Sequence, residues 1–219
     1  MTADHLVITL LTGARPDLLA ETLNSFREHA GDVLTGAWVI ALHNGADAAT
    51  RIVLDEHGDI LDRRLVTPDV RPIGRNVTTL RKWALESRRP YWLHLEDDWK
   101  AHPVDGWLPD AVGLLNQGAS QVRLRRADEE VLGWHMVTGE TLVWTEIAGH
   151  RWAADAHYTL NPSLTRLDHG REAWPARGER EAQRRWRKAG HTVVAQHVPG
   201  VWEHIGEEQS LRKVTGCET

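Results

Sequence analysis

Residues Tyr91–Trp99 have the sequence YWLHLEDDW, and this stretch decides the fold because an apolar run ends directly in three carboxylates. A short apolar segment without alternation is typical of a strand in a parallel sheet, whose two faces are covered by helices. Ligands of such sheets bind beyond the carboxyl ends of the strands, where Glu96, Asp97 and Asp98 emerge. Three adjacent acids repel one another, which favours a shared cation, and oxygen ligands suit Mg2+ or Mn2+. The alternative interpretation is a solvated acidic turn.

The composition narrows the class of protein. A chain of 219 residues fits one α/β domain, and its net charge of -5 argues against general nucleic-acid binding, although Arg123, Arg125 and Arg126 can still face phosphates locally. The single cysteine, Cys217, excludes an intrachain disulfide and argues against a cysteine-based zinc site. We expect a cytoplasmic protein, since no signal peptide and no apolar run of roughly 18 residues is present.

Before the acidic stretch, strand-like and helical segments alternate. Apolar runs end in turn residues, and each is followed by a segment with helical spacing of its apolar residues; Pro16 fits a first helical position and Asp47 a helix cap. Strands separated by helices indicate βαβ units and a parallel sheet with right-handed crossovers. The predicted strands are 5–11, 37–43, 64–67 and the apolar part of 91–99.

After the acidic stretch this alternation is lost. The pattern predicts a helix over about 106–116, a strand over 121–124 and short strands near 131–136 and 141–146. A charged helix over 178–189 ends at Gly190, and a last strand follows over 192–195. We therefore expect a smaller, irregular or antiparallel region in the second half of the chain.

The order of five segments resembles the GT-A-fold glycosyltransferases, nearest to the large family 2 type. The resemblance covers roughly residues 5–206, and it implies an α/β class: a single GT-A (Rossmann-like) domain with a mostly parallel central sheet flanked by helices. We divide the chain into a nucleotide-sugar-binding half, about 1–100, an acceptor-side half, about 101–206, and a tail, 207–219. The five segments are LVITLLTG (6–13), ARPDLLAETLNSF (14–26), IGRN (73–76), LHLEDDW (93–99) and VWEHIG (201–206).

In this family the loop after the first strand receives the nucleotide, and a DxD-like motif binds a metal that neutralises the donor's diphosphate. The motif falls on Glu96, Asp97 and Asp98, with Asp98 as the metal ligand; Glu96 departs from the usual Asp and is expected to reach the ribose or the metal through water. The resemblance implies further donor contacts at the nucleotide loop, near the base and at a helix start, in that order: Thr12, Gly13 and Arg15; Asn44 and Asp47; Arg75 and Asn76.

A late histidine in the family completes the metal shell or contacts the diphosphate, and His204 matches it, with Trp202 as a neighbour that shields it from water. His94, by contrast, fits an interior histidine. For the base we expect Glu179, because family 2 enzymes place an acid about eleven residues before the glycine that ends this helix. Glu181 and Asp168 are its rivals, and the ordinary alternative is a solvated helix face.

The resemblance implies a metal-dependent glycosyltransferase, using Mn2+ or Mg2+, that transfers a sugar from a nucleotide-sugar donor, with UDP expected, to a hydroxyl of a small molecule or glycan. Two alternatives stay open. A nucleotidyltransferase acting on a sugar phosphate also uses carboxylate-bound Mg2+, although the sequence has no Gly-rich phosphate loop with Lys near its beginning. A catalytically silent module that binds sugar nucleotides or glycans is the other.

Overall fold

A computed structural model describes residues 3–126 and 141–206. The elements of these residues lie in two sheets and seven α-helices, with short 3-10 turns at Ala3–His5 and Gly58–Ile60. The strands are β1 (Leu6–Thr12), β2 (Trp38–Asn44), β3 (Arg63–Thr67), β4 (Tyr91–Glu96), β5 (Trp99–Ala101), β6 (Gln121–Arg123), β7 (Thr145–Ile147), β8 (His150–Ala153), β9 (Ser163–Arg166), β10 (Val194–Gln196) and β11 (Trp202–His204). The helices are α1 (Pro16–His29), α2 (Gly31–Leu34), α3 (Ala48–Glu56), α4 (Ile73–Glu86), α5 (Trp107–Asn116), α6 (Leu167–Ala173) and α7 (Glu179–Lys188).

The described strands form a large sheet in the order β3-β2-β1-β4-β9-β6-β10-β8-β7, and β11 pairs with β5 in a small antiparallel sheet. Strands β1 to β4 are parallel, as the alternating pattern predicted. Strand β9 is antiparallel to both β4 and β6, so β6 and β10 run in the direction of β4. The predicted fold class, a mostly parallel sheet flanked by helices with a smaller antiparallel part, is confirmed.

After β4 several observed elements differ from the predicted ones, and strands β5, β8 and β11 were not predicted. Strand β9 and helix α6 were not predicted, because four residues of SLTR carry too short a pattern to indicate a strand. The predicted strand at 141–146 is observed as β7, which begins at Thr145. The predicted strand at 131–136 lies outside the described residues.

Strand β1 lies at the centre of the packing, and all seven of its residues are buried. Its side chains alternate between two apolar clusters on opposite faces of the sheet. Leu6, Ile8 and Leu10 pack with apolar residues of α1 and α5, whereas Val7 and Leu11 pack with those of α4, α6 and α7. Because helices cover both faces, most positions of the strand are apolar, and its buried Thr9 and Thr12 each hydrogen bond with a histidine.

The carboxyl ends of the four parallel strands meet at one edge of the sheet. In the strand register Leu11 is opposite Glu96, and Thr12 is opposite His43. The loop that follows β1 therefore lies beside the acidic residues that follow β4, just beyond this edge. Within the described residues, no helix has both the length and the apolar character needed to cross a bilayer.

His94 lies inside the sheet, below this edge, as expected from the sequence. It is 2% exposed, and its Nδ1 is 2.9 Å from the hydroxyl of Thr9, which also accepts a hydrogen bond from the Trp92 indole at 2.7 Å. Burial lowers the pKa of His94 to about 3. The ring is therefore a neutral part of the core at physiological pH.

Candidate functional site

The acidic turn between β4 and β5 is buried and tied to the loop after β1. The backbone N–H of Gly13 donates to Asp97 Oδ2 at 2.6 Å, and Arg15 Nη1 donates to Asp98 Oδ2 at 2.8 Å. The second guanidinium nitrogen of Arg15, Nη2, donates to Asp97 Oδ1. The side chains of Asp97 and Asp98 are only 1% and 8% exposed. A solvated acidic turn is thus the wrong interpretation, because two buried carboxylates are held here by one arginine.

The strand that ends at His204 closes over Asp98 from the other side. His204 Nε2 is 3.4 Å from Asp98 Oδ2, and the backbone N–H of Ile205 donates to the carbonyl of Asp98 at 3.0 Å. Gly206 packs so tightly that a Cβ there would lie 2.5 Å from Asp98 Oδ2. The late histidine and its glycine therefore build one wall of the site around Asp98. The role of Gly206 was missed, although the glycine of VWEHIG was the available signal.

The aromatic neighbour of His204 is Trp99 rather than Trp202. Trp99 is its direct partner across the small sheet, and the ring centroids are 4.7 Å apart. The Trp202 ring packs into the core against Phe26 and Trp107. Two residues along a strand span more than 6 Å, whereas directly opposite residues are about 5 Å apart, which explains why the cross-strand ring makes the contact.

The residues around Asp98 fit a divalent ion that also has non-protein ligands. Asp98 Oδ1 is buried without a hydrogen-bond partner, and the imidazole of His204 lies beside the same carboxylate. The described residues contain no group of three or more His, Cys, Asp or Glu side chains placed to hold a metal. One carboxylate and one imidazole still suit Mg2+ or Mn2+, which commonly bind through one or two protein ligands together with water and substrate phosphates.

Two further acids are coupled by charge: Glu96 at the end of β4 and Glu179 at the start of α7. Burial, together with the charges of Asp98, Glu179 and Asp97, raises the pKa of Glu96 to about 8. Glu179 is the first residue of α7, and its Oε1 accepts a hydrogen bond from the backbone N–H of Leu160 at 2.9 Å. Glu179, at the start of α7, is therefore among the acids whose charge acts on Glu96.

The two rivals of Glu179 lie elsewhere. Glu181 Oε2 accepts a hydrogen bond from the backbone N–H of Arg177 at 2.9 Å, which stabilises the exposed start of α7. Asp168 is exposed, 3.8 Å from Arg166, and Arg166 is paired with Tyr91 at the opposite end of β4. At about 3.3 Å per residue, that end is roughly 17 Å from Glu96. Of the three acids, Glu179 is the one whose charge contributes to the raised pKa of Glu96.

The residues predicted near the base stabilise the neighbouring loops. Asp47 caps α3 by accepting the N–H of Thr50 at 2.7 Å, and the Thr50 hydroxyl donates to the carbonyl of Gly13 at 3.3 Å. These hydrogen bonds to Thr50 are the largest cause of the lowered pKa of Asp47. Thr12 is 1% exposed and its hydroxyl contacts His43 Nδ1 at 3.0 Å. Thr12 is therefore a buried support of the loop after β1, and Asp47 is linked to that loop through Thr50.

Asn44 and Asn76 both contact Arg71, in the loop before α4. The Asn44 amide donates to the Arg71 carbonyl at 3.0 Å and accepts its N–H at 2.7 Å, so both polar atoms of Asn44 position this loop. Asn76 is buried and donates to the same carbonyl at 3.3 Å, while its Oδ1 is buried without a partner. Arg75 is exposed. The start of α4 thus presents one exposed guanidinium and one buried, unpaired amide oxygen near the site.

The glycine of IGRN brings α4 against the chain that precedes α7. A Cβ at Gly74 would lie 2.2 Å from the Arg177 carbonyl oxygen, so no other residue allows this approach. An open groove of about 580 Å³ lies beside the contact. Its lining includes Pro72, Arg75, Thr78, Pro175, Arg177 and Glu181. The groove therefore lies between the first turn of α4 and the chain that leads into α7.

Neither a protein-family model nor a curated protein sequence matches the chain. Solved structures do. S. aureus TarS 1-349 matches with a TM-score of 0.63 and 14% identity over 95% of this chain and 61% of that chain. The same protein in complex with UDP-GlcNAc matches with a TM-score of 0.61, 14% identity and coverages of 94% and 61%.

A mannosyltransferase from Pyrobaculum calidifontis, PcManGT, in complex with GDP-Man and Mn2+, matches with a TM-score of 0.59 and 12% identity over 88% of this chain and 56% of that chain. The chain spans less than two thirds of each of these structures. At such identities the likeness shows the fold alone. The fold is that of these glycosyltransferase structures, as the resemblance in the sequence predicted.

Proposed function

We propose that the protein is a metal-dependent glycosyltransferase, which transfers a sugar from a nucleotide-sugar donor, most simply a UDP-sugar, to a hydroxyl of a small molecule or glycan. The observation that carries the proposal is the buried Asp97–Asp98 turn, which Arg15 and Gly13 hold at the carboxyl edge of the sheet. The ligands named for the similar structures, UDP-GlcNAc and GDP-Man with Mn2+, support the same class of donor.

At the donor end, Asp98 and His204 would hold Mn2+ or Mg2+, and the ion would supply positive charge to the leaving diphosphate. The chain prepares this end in advance. Asp98 is fixed by Arg15, and its backbone carbonyl accepts the N–H of Ile205. Gly13, at the nucleotide loop, is held against Asp97. These contacts keep the carboxylate in position before the donor arrives, so little reorganisation is needed when it binds.

At the acceptor end, Glu179 would take the proton from the attacking hydroxyl. The acceptor oxygen forms a bond to the anomeric carbon of the sugar, the bond from that carbon to the diphosphate breaks, and the proton goes to Glu179. The hydrogen bond from Leu160 N–H orients one carboxylate oxygen and leaves the side chain at the edge of the sheet. This role requires an inverting reaction, because a displacement of that kind needs a base opposite the leaving group.

The test is a donor screen followed by a turnover assay. Thermal unfolding with each nucleotide sugar, with and without Mn2+, identifies the donor, since a ligand at 100 times its Kd stabilises a protein by about 2.7 kcal/mol. Release of the free nucleoside diphosphate when acceptor is added then supports glycosyl transfer. Release of pyrophosphate would instead indicate a nucleotidyltransferase, and binding without turnover would indicate a binding module.

A further inference from the structure

Arg15 bridges two carboxylates that differ in what else they contact. Asp97 receives the Gly13 N–H as well as Arg15, so both of its oxygens are hydrogen bonded. Asp98 Oδ2 receives Arg15 and lies near His204, but Asp98 Oδ1 is buried without a partner. Asp97 is therefore the anchor of the guanidinium, and Asp98 is the carboxylate with coordination capacity to spare.

We propose that Arg15 is an exchangeable counter-ion: it holds Asp98 until metal and donor bind, then yields Asp98 to the metal and turns its freed nitrogen toward the donor's diphosphate. The proposal rests on the proposed function. In this role Arg15 positions first Asp98 and then the diphosphate, which goes beyond the hydrogen bonds within the loop after β1. The anchor on Asp97 lets the guanidinium change one partner without leaving the site.

Burial explains why such a counter-ion is needed. Buried carboxylates are tolerated when they are paired and hydrogen bonded, and the Arg15 side chain that pairs with them is itself only 13% exposed. The planar guanidinium fork is also the side chain that best matches both carboxylate and phosphate. Arg15 can therefore pair with an aspartate in one state and with a diphosphate in the other.

The exchange predicts coupling between metal and nucleotide. A divalent ion at Asp98 would lie close to the positive charge of Arg15, so Mn2+ alone binds against repulsion. A bound diphosphate supplies negative charge to both cations and removes this repulsion. Mn2+ and UDP should thus strengthen each other's binding by the same factor, as linkage requires.

The experiment compares Arg15→Gln with the wild-type protein by calorimetric titration of Mn2+, with and without UDP, and by thermal unfolding without metal. Without metal, Arg15→Gln should unfold at a lower temperature. Its affinity for Mn2+ alone should rise about tenfold, because a neighbouring positive charge is gone. The strengthening of Mn2+ binding by UDP should fall by about the same tenfold factor, to the part that direct contact between the ion and the diphosphate supplies.

The matched control is Arg27→Gln in α1, the helix that Arg15 precedes, since Arg27 pairs with Asp59 in an exposed ion pair. It should leave all three quantities unchanged. Arg15→Lys keeps the charge without the fork, so it should retain the wild-type Mn2+ affinity with a lowered unfolding temperature; this variant decides the matter if Arg15→Gln does not fold.

Unchanged or weaker Mn2+ binding in Arg15→Gln would overturn the proposal and leave Arg15 a structural residue. Absence of Mn2+ binding to the wild-type protein, with or without UDP, would also overturn it. A wild-type protein that binds Mn2+ and UDP with this coupling but transfers no sugar from any donor would instead refute the proposed function alone.

Discussion

The two ends of the candidate site are built differently. At the donor end, Asp97 and Asp98 are buried and held by Arg15, Gly13 and the chain around Ile205. At the proposed acceptor end, Glu179 is half-buried at the first residue of α7, and Glu181 of the same helix lines an open groove. The proposed donor end is therefore preorganised by the sheet, whereas the proposed acceptor end depends on how α7 and the Leu160 loop are placed.

The largest expected effect is at the donor end. Asp98→Ala should abolish transfer, because the metal loses its carboxylate and the diphosphate charge stays uncompensated. The protein should remain folded, as judged by circular dichroism, with a lower unfolding temperature since Arg15 loses one partner. Asp59→Asn, which breaks the exposed ion pair with Arg27 of α1, is the control and should keep full activity. Near wild-type turnover of Asp98→Ala across a Mn2+ titration would show that the metal is held elsewhere.

The acceptor end should respond in rate rather than in donor binding. Glu179→Gln should lower kcat by about 10² to 10⁴, the usual contribution of a general base, while calorimetry shows unchanged UDP affinity. Glu181→Gln, in the same helical turn but bonded to Arg177, is the matched control and should change kcat little. A loss of UDP affinity in Glu179→Gln would place this residue at the donor end. Retention of configuration at the sugar, observed by NMR, would remove the need for a base.

A smaller effect at the donor end should follow from Gly206→Ala. The added methyl group would lie 2.5 Å from Asp98 Oδ2, so either the carboxylate or the chain after β11 must move. We expect a destabilisation of about 1–3 kcal/mol, typical of overpacking, together with weaker Mn2+ binding. The measurement is urea unfolding combined with Mn2+ titration.

Gly113→Ala serves as its control. Gly113 lies in α5, where a Cβ would meet no neighbouring atom, so the substitution should stabilise the protein by about 1 kcal/mol through helix propensity. If Gly206→Ala were equally harmless to stability and metal binding, the close packing against Asp98 would have no functional consequence.

The smallest expected effect is the pH dependence of the free energy of unfolding, which reports on buried histidines rather than on the site. Burial lowers the pKa of His94 to about 3 and that of His197 to about 4. An unfolded histidine titrates near pH 6.5. Above that pH both rings are neutral in the folded and the unfolded chain, so their contribution to stability is fully present. Their contribution is lost progressively as the pH falls from about 6.5 toward 4 and 3, because the unfolded chain then binds more protons.

The free energy of unfolding, measured in urea between pH 7.5 and 5, should therefore decrease with falling pH. His94→Gln, which replaces the titrating ring by a neutral amide, should give a flatter profile. An identical slope in the variant would mean that the buried His94 contributes nothing to the acid sensitivity.

The contrast between the two ends also explains how much the sequence could predict. Strands β1, β2 and β4 are apolar runs closed by turn residues, and the acidic turn directly follows β4, so local patterns were sufficient. The bridge from Arg15 to Asp97 and Asp98 joins residues 82 and 83 positions apart. No local pattern contains that contact; only the strand register brings it about.

At the acceptor end the local signal is weaker. Strand β9 has four residues and lies between two strands distant from it in sequence, and its antiparallel direction follows from tertiary pairing rather than from its composition. The choice among Glu179, Glu181 and Asp168 likewise depended on where α6 and α7 pack. Trp99 replaced Trp202 as the neighbour of His204 for the same reason, since cross-strand pairing with β5 was not predicted.

The most direct test of the account is a calorimetric titration of UDP into the wild-type protein and into Asp98→Ala, each with and without Mn2+. Mn2+ should strengthen UDP binding to the wild-type protein, and this strengthening should disappear in Asp98→Ala. Equal UDP affinity in all four titrations would contradict the claim that the buried acidic turn is where metal and donor diphosphate meet.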